Sequence, residues 1–386
     1  MKKGDEVKGT LMAAPIRILH ILPELHHGGG MSTVVMNYLH GINHDEFVFD
    51  VICHGPCDED YKAEIERFGG KVILYPPLSL SKIPGSMRDA QAYLRNNRYD
   101  VVHCHMANAA FIYLKAAKLA GVPLRILHSH QDHYADTWQH ALRNMPIVAM
   151  GKRCANCRIA CSKKAGDFLF KGSKYILLRN SIPIQRFAYN PEVRKRWRTY
   201  EGVGDKTVFA NLGRLTLQKN QKYLLDVFSK YHDEDYKSVL YMAGDGELRN
   251  ELEQYADNLH LGNNVKWLGN VDNVNEMYQG IDVLLFPSLY EGLPMTLVEA
   301  QDAGVCCLAS NRISDEVIIS DFIQFLPIDA GLEPWVKVMR ELERGNITFP
   351  AREEGAHQVK QAGFDITDTV RDLERIYRQS QLIQNN

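Results

Sequence analysis

The 386-residue chain has no apolar run approaching the roughly 20 residues that a membrane-spanning helix needs. It has no excess of charge of either sign. Its 45 basic and 47 acidic side chains leave a formal net charge of −2, so nothing global draws it to nucleic acid. It also lacks a disulfide framework. Cys306 and Cys307 are adjacent, and Cys53, Cys104 and Cys161 lie in or beside apolar strand-like runs, where cysteine behaves as a small hydrophobe. A reducing cytoplasm suits that usage. Cys154-Ala-Asn-Cys157 has no second Cys or His pair at finger-like spacing, so it reads as an incidental pair beside a strand. There is no repeat and no low-complexity tract. Met1-Lys2-Lys3-Gly4-Asp5-Glu6 is a poor signal-peptide start, and residues 1–14 read as a loose tail.

What is present is a steady alternation of strand-like and helix-like segments. Ile16–Leu22, Phe47–Cys53, Val72–Tyr75, Val101–Cys104 and Leu124–His128 are apolar and short; helical patterns separate them. The pattern restarts with Val208–Leu212, Ser238–Ala243, Val265–Leu268 and Val283–Phe286. This is the pattern of parallel, doubly wound α/β sheets, and the length suffices for two domains. Polar, turn-rich sequence between Asn180 and Asp205 marks the boundary. The expected division is a Rossmann-like domain over 1–185 and a second over 186–365, with a long helical pattern over 366–386 at the end of the chain. Ligand loops at strand ends place the site in the cleft between the domains.

Phe286-Pro-Ser-Leu-Tyr-Glu-Gly-Leu-Pro-Met-Thr-Leu-Val-Glu-Ala300 is the most informative segment. It runs from a strand through a loop bearing Glu291 into a helix. Pro294 suits a first helical position and Gly304 a helix stop. Backbone N–H groups of Leu293, Met295 and Thr296 at such a helix start suit a diphosphate, with Gly292 beside them. Glu299 lies among Leu297, Val298 and Ala300, where a carboxylate needs a partner. Arg214 and Lys219 follow the strand Val208–Leu212 and would neutralise a diphosphate, then stabilise it on departure. As alternatives, each of these residues could be an ordinary solvated loop or helix charge.

The spacing of Glu291 and Glu299 resembles the E-x7-E signature of glycosyltransferase family 4, the retaining enzymes of GT-B fold. Asn211-Leu-Gly-Arg214 with Gln218-Lys219-Asn220 is similar to that family's G-R-x-x-x-x-K-N element. Gly244-Asp-Gly246-Glu-Leu248 resembles its G-x-G-x-L turn, and Trp267-Leu-Gly269 its F-L-G turn. Gly28-Gly29-Gly30 stands where the family has a glycine loop, and His103-Cys-His105 and His128-Ser-His130 at two strand ends. The resemblance runs from about Ile16 to the end and is greatest to bacterial capsular and exopolysaccharide enzymes.

The resemblance implies that the domain over 1–185 binds the acceptor and the domain over 186–365 the nucleotide-sugar donor, that the final helix over 366–386 packs back on the first domain, and that each site residue has a role. Glu299 would bind ribose hydroxyls, and Glu291 the donor sugar or its phosphate surroundings. Gly29, Gly30, Gly244 and Gly246 would bring backbone near the ligand, and Gly269 would flank the base. His130 would contact the donor sugar or reacting centre, and His105 would lie near the acceptor. His103 and His128 are expected to point elsewhere, into the sheet or a crevice. Ser32 stands where the family often has a glutamate, and Ser181 replaces the glycine of an N-G-I element.

The implied reaction moves a hexose or N-acetylhexosamine from a nucleotide-diphosphate sugar, a UDP-sugar before others, to a glycan or lipid-linked acceptor with retention. No cofactor or metal is expected, and Asp58-Glu59-Asp60 reads as a solvated helix start. The stretch 143–174 carries eight basic residues and one acidic, with Met145 to Met150 inside it. It suits an anionic membrane surface or simply a solvated face, so the enzyme is expected in the cytoplasm, peripheral to the inner face of the plasma membrane. A nucleotide-sugar-binding regulatory protein without turnover is the rival reading.

Overall fold

A computed structural model describes residues 14–79, 83–130, 138–232 and 237–384, and of 138–143 the backbone alone. The proposed tail thus lies almost wholly outside the described residues. Among the described residues, thirteen strands form two sheets in which every pair is parallel. The first sheet holds β1 (Ile16–Leu22), β2 (Phe47–Cys53), β3 (Val72–Leu74), β4 (Val101–Cys104), β5 (Leu124–Ser129), β6 (Cys157–Ala160) and β7 (Ile176–Leu177). The second holds β8 (Thr207–Leu212), β9 (Ser238–Ala243), β10 (Val265–Gly269), β11 (Val283–Phe286), β12 (Cys306–Ser310) and β13 (Ile323–Leu326). Their spatial orders are β3-β2-β1-β4-β5-β6-β7 and β10-β9-β8-β11-β12-β13. Each sheet therefore reverses direction beside its first strand, between β1 and β4 and between β8 and β11.

The strands are largely apolar because both faces are covered by crossover helices, with Arg17, His20, Asp50 and His103 among the exceptions. Successive residues alternate between two cores. Ile16, Ile18 and Leu22 join one cluster and Leu19 and Ile21 the other. The second sheet likewise separates two clusters.

The chain crosses back near its end. Val359 and Phe364 lie in a core of the second sheet, whereas Ile366, Val370, Leu373, Ile376 and Tyr377 lie in a core of the first. The helix Ile366–Gln384 is thus part of the first domain's packing. Arg378 clamps it with a two-pronged pair to Glu46 at 2.6 and 2.7 Å. The two crossings run side by side, bridged between Ile182 and Asp365. Ser181 sits at this junction, buried, with its Oγ 2.7 Å from Thr369 Oγ1. Its φ is not positive, so the turn does not demand glycine there.

Leu373 is fully buried between the returning helix and the first sheet. Leu373→Ala is expected to destabilise the protein by about 2–5 kcal/mol, read as a lower urea midpoint. An unchanged midpoint would mean that the last helix does not contribute to the first domain's stability.

Candidate active site

The reversal between β8 and β11 opens a crevice at their carboxyl ends. The loops leaving these two strands are stitched together by backbone and amide bonds. Leu289 N donates to Gln218 O at 2.9 Å, Gln218 Nε2 to Tyr290 O at 2.9 Å, and Asn220 Nδ2 to Pro287 O at 3.2 Å. Asn220 adopts φ 56°, a conformation that asparagine tolerates better than most residues. This stitching brings Lys219 Nζ to 2.7 Å from Glu291 Oε1, with both side chains over four-fifths buried at 17% and 14% exposure. The ammonium also lies 4.6 Å from the centre of the Phe286 ring. Sequence separation hides this pair; the fold creates it.

Pro294 occupies the cap position, φ −73° and ψ 115°, one residue before the expected first helical position. The helix is Met295–Asp302, and Gly304 follows it with φ 61°. The first N–H groups of the helix have no helical partner. Glu299 accepts a bond from the Tyr278 hydroxyl at 3.0 Å. Desolvation raises its carboxyl to about 7 against the lowering effect of that bond and of Arg186.

The glycine turns serve the protein before any ligand. A Cβ on Gly244 would lie 2.1 Å from Gly213 O, and one on Gly246 2.4 Å from Leu215 O. These glycines let the loop after β9 press on the loop that carries Arg214, and the close approach is of backbone to backbone. Gly269 adopts φ 64°, and its carbonyl accepts from Gly244 N at 2.7 Å. Its role is to hold that turn from below.

The opposite wall comes from the first sheet. Gly29 caps the helix Gly30–Gly41, and a Cβ on it would lie 2.8 Å from Ser32 Oγ and 3.2 Å from a Glu24 oxygen. Ser32 is buried. Its hydroxyl donates to Glu24 O and accepts from His26 N. The carboxylate near the glycine loop is therefore Glu24, which the sequence did not single out. Glu24 faces Arg214 across the cleft at 3.8 Å. Arg214 is half exposed, at 54%, and so reachable by a ligand. The walls also approach where a Cβ on Gly292 would lie 3.6 Å from His130 O.

His105 and His130 are bonded to each other, Nδ1 to Nε2, at 2.8 Å. The expectation that His103 and His128 point elsewhere is corrected. Their rings lie against those of His105 and His130, with centroids 4.2 and 4.0 Å apart. The reason is elementary. Residues two apart on a strand face the same side. His20, on β1, joins them at 3.0 Å from His105 and makes a five-ring cluster that the sequence reading missed. Burial holds all five imidazoles below their ordinary range, His20 to about 3 and His130 to about 4. Among the described residues, groups with the spacing to hold an ion are His20, His103 and His105; His105, His128 and His130; and exposed His27 and Asp60 with half-buried Asp58. Asp58 also caps the helix Glu59–Arg67.

Asn220→Ala removes the bond to Pro287 and puts alanine at positive φ, whereas Asn220→Gly removes the bond alone. The melting temperature is expected to fall in the order wild type, Asn220→Gly, Asn220→Ala, with about 1–2 kcal/mol between the two variants. Equal losses would mean that the left-handed turn carries no strain for alanine.

Comparison with known proteins agrees with this arrangement. Residues 28–186 match the family model "Glycosyltransferase Family 4", and residues 193–346 match "Glycosyl transferases group 1". The putative glycosyltransferase EpsF of Bacillus subtilis is 29% identical over 94% of this chain and 96% of its own. An Escherichia coli enzyme described as UDP-Gal:alpha-D-GlcNAc-diphosphoundecaprenol alpha-1,3-galactosyltransferase is 26% identical over 86% of this chain and 89% of its own. Among solved structures, Anabaena HepE in complex with UDP-glucose superposes with a TM-score of 0.76 at 18% identity, over 94% of this chain and 100% of that one. Two matched halves, each with its own parallel sheet and with one cleft between them, make the chain a member of glycosyltransferase family 4 with the GT-B fold.

Proposed function

We propose that the chain transfers a hexose or N-acetylhexosamine from a UDP-sugar to a glycan or lipid-linked acceptor, with retention, in capsular or exopolysaccharide synthesis. The observation that carries this is the Lys219–Glu291 pair at 2.7 Å, set before the start of the helix Met295–Asp302, with Lys219 on the same loop as half-exposed Arg214. The E. coli relative, named for a UDP-Gal donor, and HepE, solved with UDP and with UDP-glucose, support the donor class.

Arg214, Lys219 and the N–H groups of Leu293, Met295 and Thr296 receive the diphosphate. Lys219 then turns from Glu291 toward phosphate, and Glu291 accepts from a sugar hydroxyl. Glu299 takes the ribose hydroxyls. Gly29 and Gly30 line the far wall, with Gly244, Gly246, Gly269 and Gly292 on the donor side. His130 meets the donor sugar and His105 lies behind it, nearer the acceptor side. The acceptor oxygen attacks the anomeric carbon on the face from which the diphosphate leaves. The carbon–oxygen bond to phosphate breaks as the new one forms, and the acceptor proton passes to the departing phosphate oxygen. The cations stabilise that oxygen, and no metal or other cofactor is required.

Among the described residues no helix is long and apolar enough to cross a membrane. We place the enzyme in the cytoplasm, peripheral on an anionic membrane. The exposed Met145 (45%) and Met150 (39%), with Arg153, Lys171 and Lys174 also exposed, form the contact. Lys152 is not free for that role, since its ammonium donates to Leu169 O at 2.9 Å. Replacing Arg153, Lys171 and Lys174 by glutamine should lower cosedimentation with anionic vesicles. Equal cosedimentation, or none at the outset, removes the membrane contact.

Thermal shifts with UDP-, GDP- and ADP-sugars test the donor. A ligand at about 100 Kd adds roughly 2.7 kcal/mol to stability. UDP conjugates should raise the melting temperature, and Arg214→Ala should abolish the rise. Transfer from the same donor separates an enzyme from a binding protein, because binding without turnover supports the regulatory reading. Binding of UDP-glucose should also depend on pH. Burial raises Glu299 to about 7 and it binds the ribose as a carboxylate, so affinity should rise with pH and level off above that value, while His130, lowered by burial to about 4, stays neutral across that range. Calorimetry on Glu299→Gln should give weaker binding with that dependence gone. A dependence that persists in the variant assigns the titration elsewhere, for example to the buried Asp302, which burial raises to about 8.

A further inference from the structure

The helix Lys163–Phe170 begins just after β6, at the end of the first sheet that faces the cleft. Its own segment supplies only part of its cap. Ser162 Oγ accepts from Ala165 N at 3.1 Å. The two N–H groups before it are met from the other domain. Glu316 Oε2 accepts from Lys163 N at 2.9 Å, and Glu316 Oε1 from Lys164 N at 2.8 Å. The first turn carries no acidic residue and opens with two lysines, which stand at the positive end of the helix dipole. The negative charge that suits this helix start comes from 152 positions further along the chain.

Glu316 is in turn tied to the helix Met295–Asp302. It lies in a short turn, Asp315–Val317, where its N–H donates to Ser314 Oγ at 3.4 Å. The next residue, Val317, is fully buried, and its carbonyl accepts from Gln301 Nε2 at 3.0 Å. Gln301 is on the helix Met295–Asp302, also fully buried, and donates to Leu297 O at 2.9 Å. On the first domain's side, Ala165 O accepts from Ser129 Oγ at 2.9 Å. Ser129 ends β5 and precedes His130. A run of bonds thus leads from the strand end bearing His130, through the helix Lys163–Phe170 and Glu316, to the helix whose start faces the cleft. Beside it lies a crevice of about 230 Å³ lined by Cys161, Leu293, Glu316 and Phe364 among others, so the domains are bridged at this place rather than packed.

We propose that Glu316 is a positioning residue: by completing the cap of the helix Lys163–Phe170 from the other domain, it sets the distance at which the wall bearing His130 faces the loop at Gly292 and the helix start after it. Two oxygens meeting two N–H groups fix direction as well as distance. The role in transfer rests on the nucleotide-sugar reading above, and the link between the domains does not.

The test compares the full chain with two variants. Glu316→Ala removes the link. Glu316→Ala with Lys164→Glu returns an acid to the first turn from within the first domain, which mends the helix and not the link. In Glu316→Ala, amide exchange followed residue by residue should quicken at Lys163 and Lys164, and less at Ala165, which keeps Ser162. Small-angle scattering should give a larger radius of gyration for both variants. With UDP-glucose or whichever sugar nucleotide raises the melting temperature, both variants should still bind, but kcat for release of the nucleoside diphosphate should fall about 10- to 100-fold, as a misplaced wall requires. Unchanged exchange at Lys163 and Lys164 means that the link is not made in solution, which overturns the proposal. Recovery of the radius and of kcat in the double variant means that Glu316 serves the helix alone, which overturns the positioning role. If the radius grows while kcat stays at the wild-type value, the spacing does not govern the reaction, and the role in transfer fails while the link stands. If no sugar nucleotide binds the wild type, it is the nucleotide-sugar reading that has failed, and exchange and scattering decide the link by themselves.

Discussion

The site depends on a reversal of strand order beside β1 in one sheet and beside β8 in the other. A parallel sheet sends all its outgoing loops to one end, and only where the order reverses do neighbouring loops part to leave a crevice. The loops after β8 and β11 part in this way and are then tied again by Gln218 and Asn220. The histidines of β1, β4 and β5 gather at the matching point of the first sheet. Two crevices meet across one cleft, held in place by a final helix that belongs to the first domain's core.

Among the described residues, two pairs of opposite charge line the cleft. Lys219 is paired with Glu291, and Arg214 is near Glu24 on the other wall. The two pairs differ in worth. Lys219–Glu291 is largely shielded from water, whereas the Arg214 side chain is 54% exposed and its longer contact is screened and weak. On the proposed reading a diphosphate would displace the weak pair first. It would have to offer Lys219 as much as Glu291 does, and a sugar hydroxyl would replace Lys219 at Glu291. Donor phosphate and donor sugar would then be recognised together. Glu299 follows a third rule, since its carboxyl is held near neutrality by desolvation rather than by a cation.

Much of this was legible in the sequence. Strand runs such as Ile16–Leu22 and Val283–Phe286 are apolar because they are buried on both faces, and burial leaves a direct mark on composition. The strands β6, β7, β12 and β13 are absent from that reading because their composition does not mark them: β6 and β13 carry Arg158 and Gln324, β7 is two exposed residues, and β12 is Cys, Ala and Ser around one Leu. Glu291 and Glu299 are eight positions apart in one segment, so their spacing could be read. Glu24 could not be found in this way, because its charged partner Arg214 lies in the other domain, 190 positions along the chain. The histidine cluster could have been. His103 and His105, and His128 and His130, are each two apart on strand ends, and period two alone puts each pair on one face.

By itself the sequence determined two parallel α/β domains, the motif residues and a loop-to-helix start suited to phosphate. These are local properties, set by periodicity, turn residues and spacing within single segments. The tertiary structure decided which of those residues face one another. It paired Lys219 with Glu291, set Glu24 opposite Arg214, and revealed that Gly244 and Gly246 are small for the sake of a neighbouring loop. It also joined His20 to His105 and His130, from three strands that are adjacent only because the sheet reverses there. Contacts between distant segments depend on register and crossover order, and neither is written in any one stretch of chain.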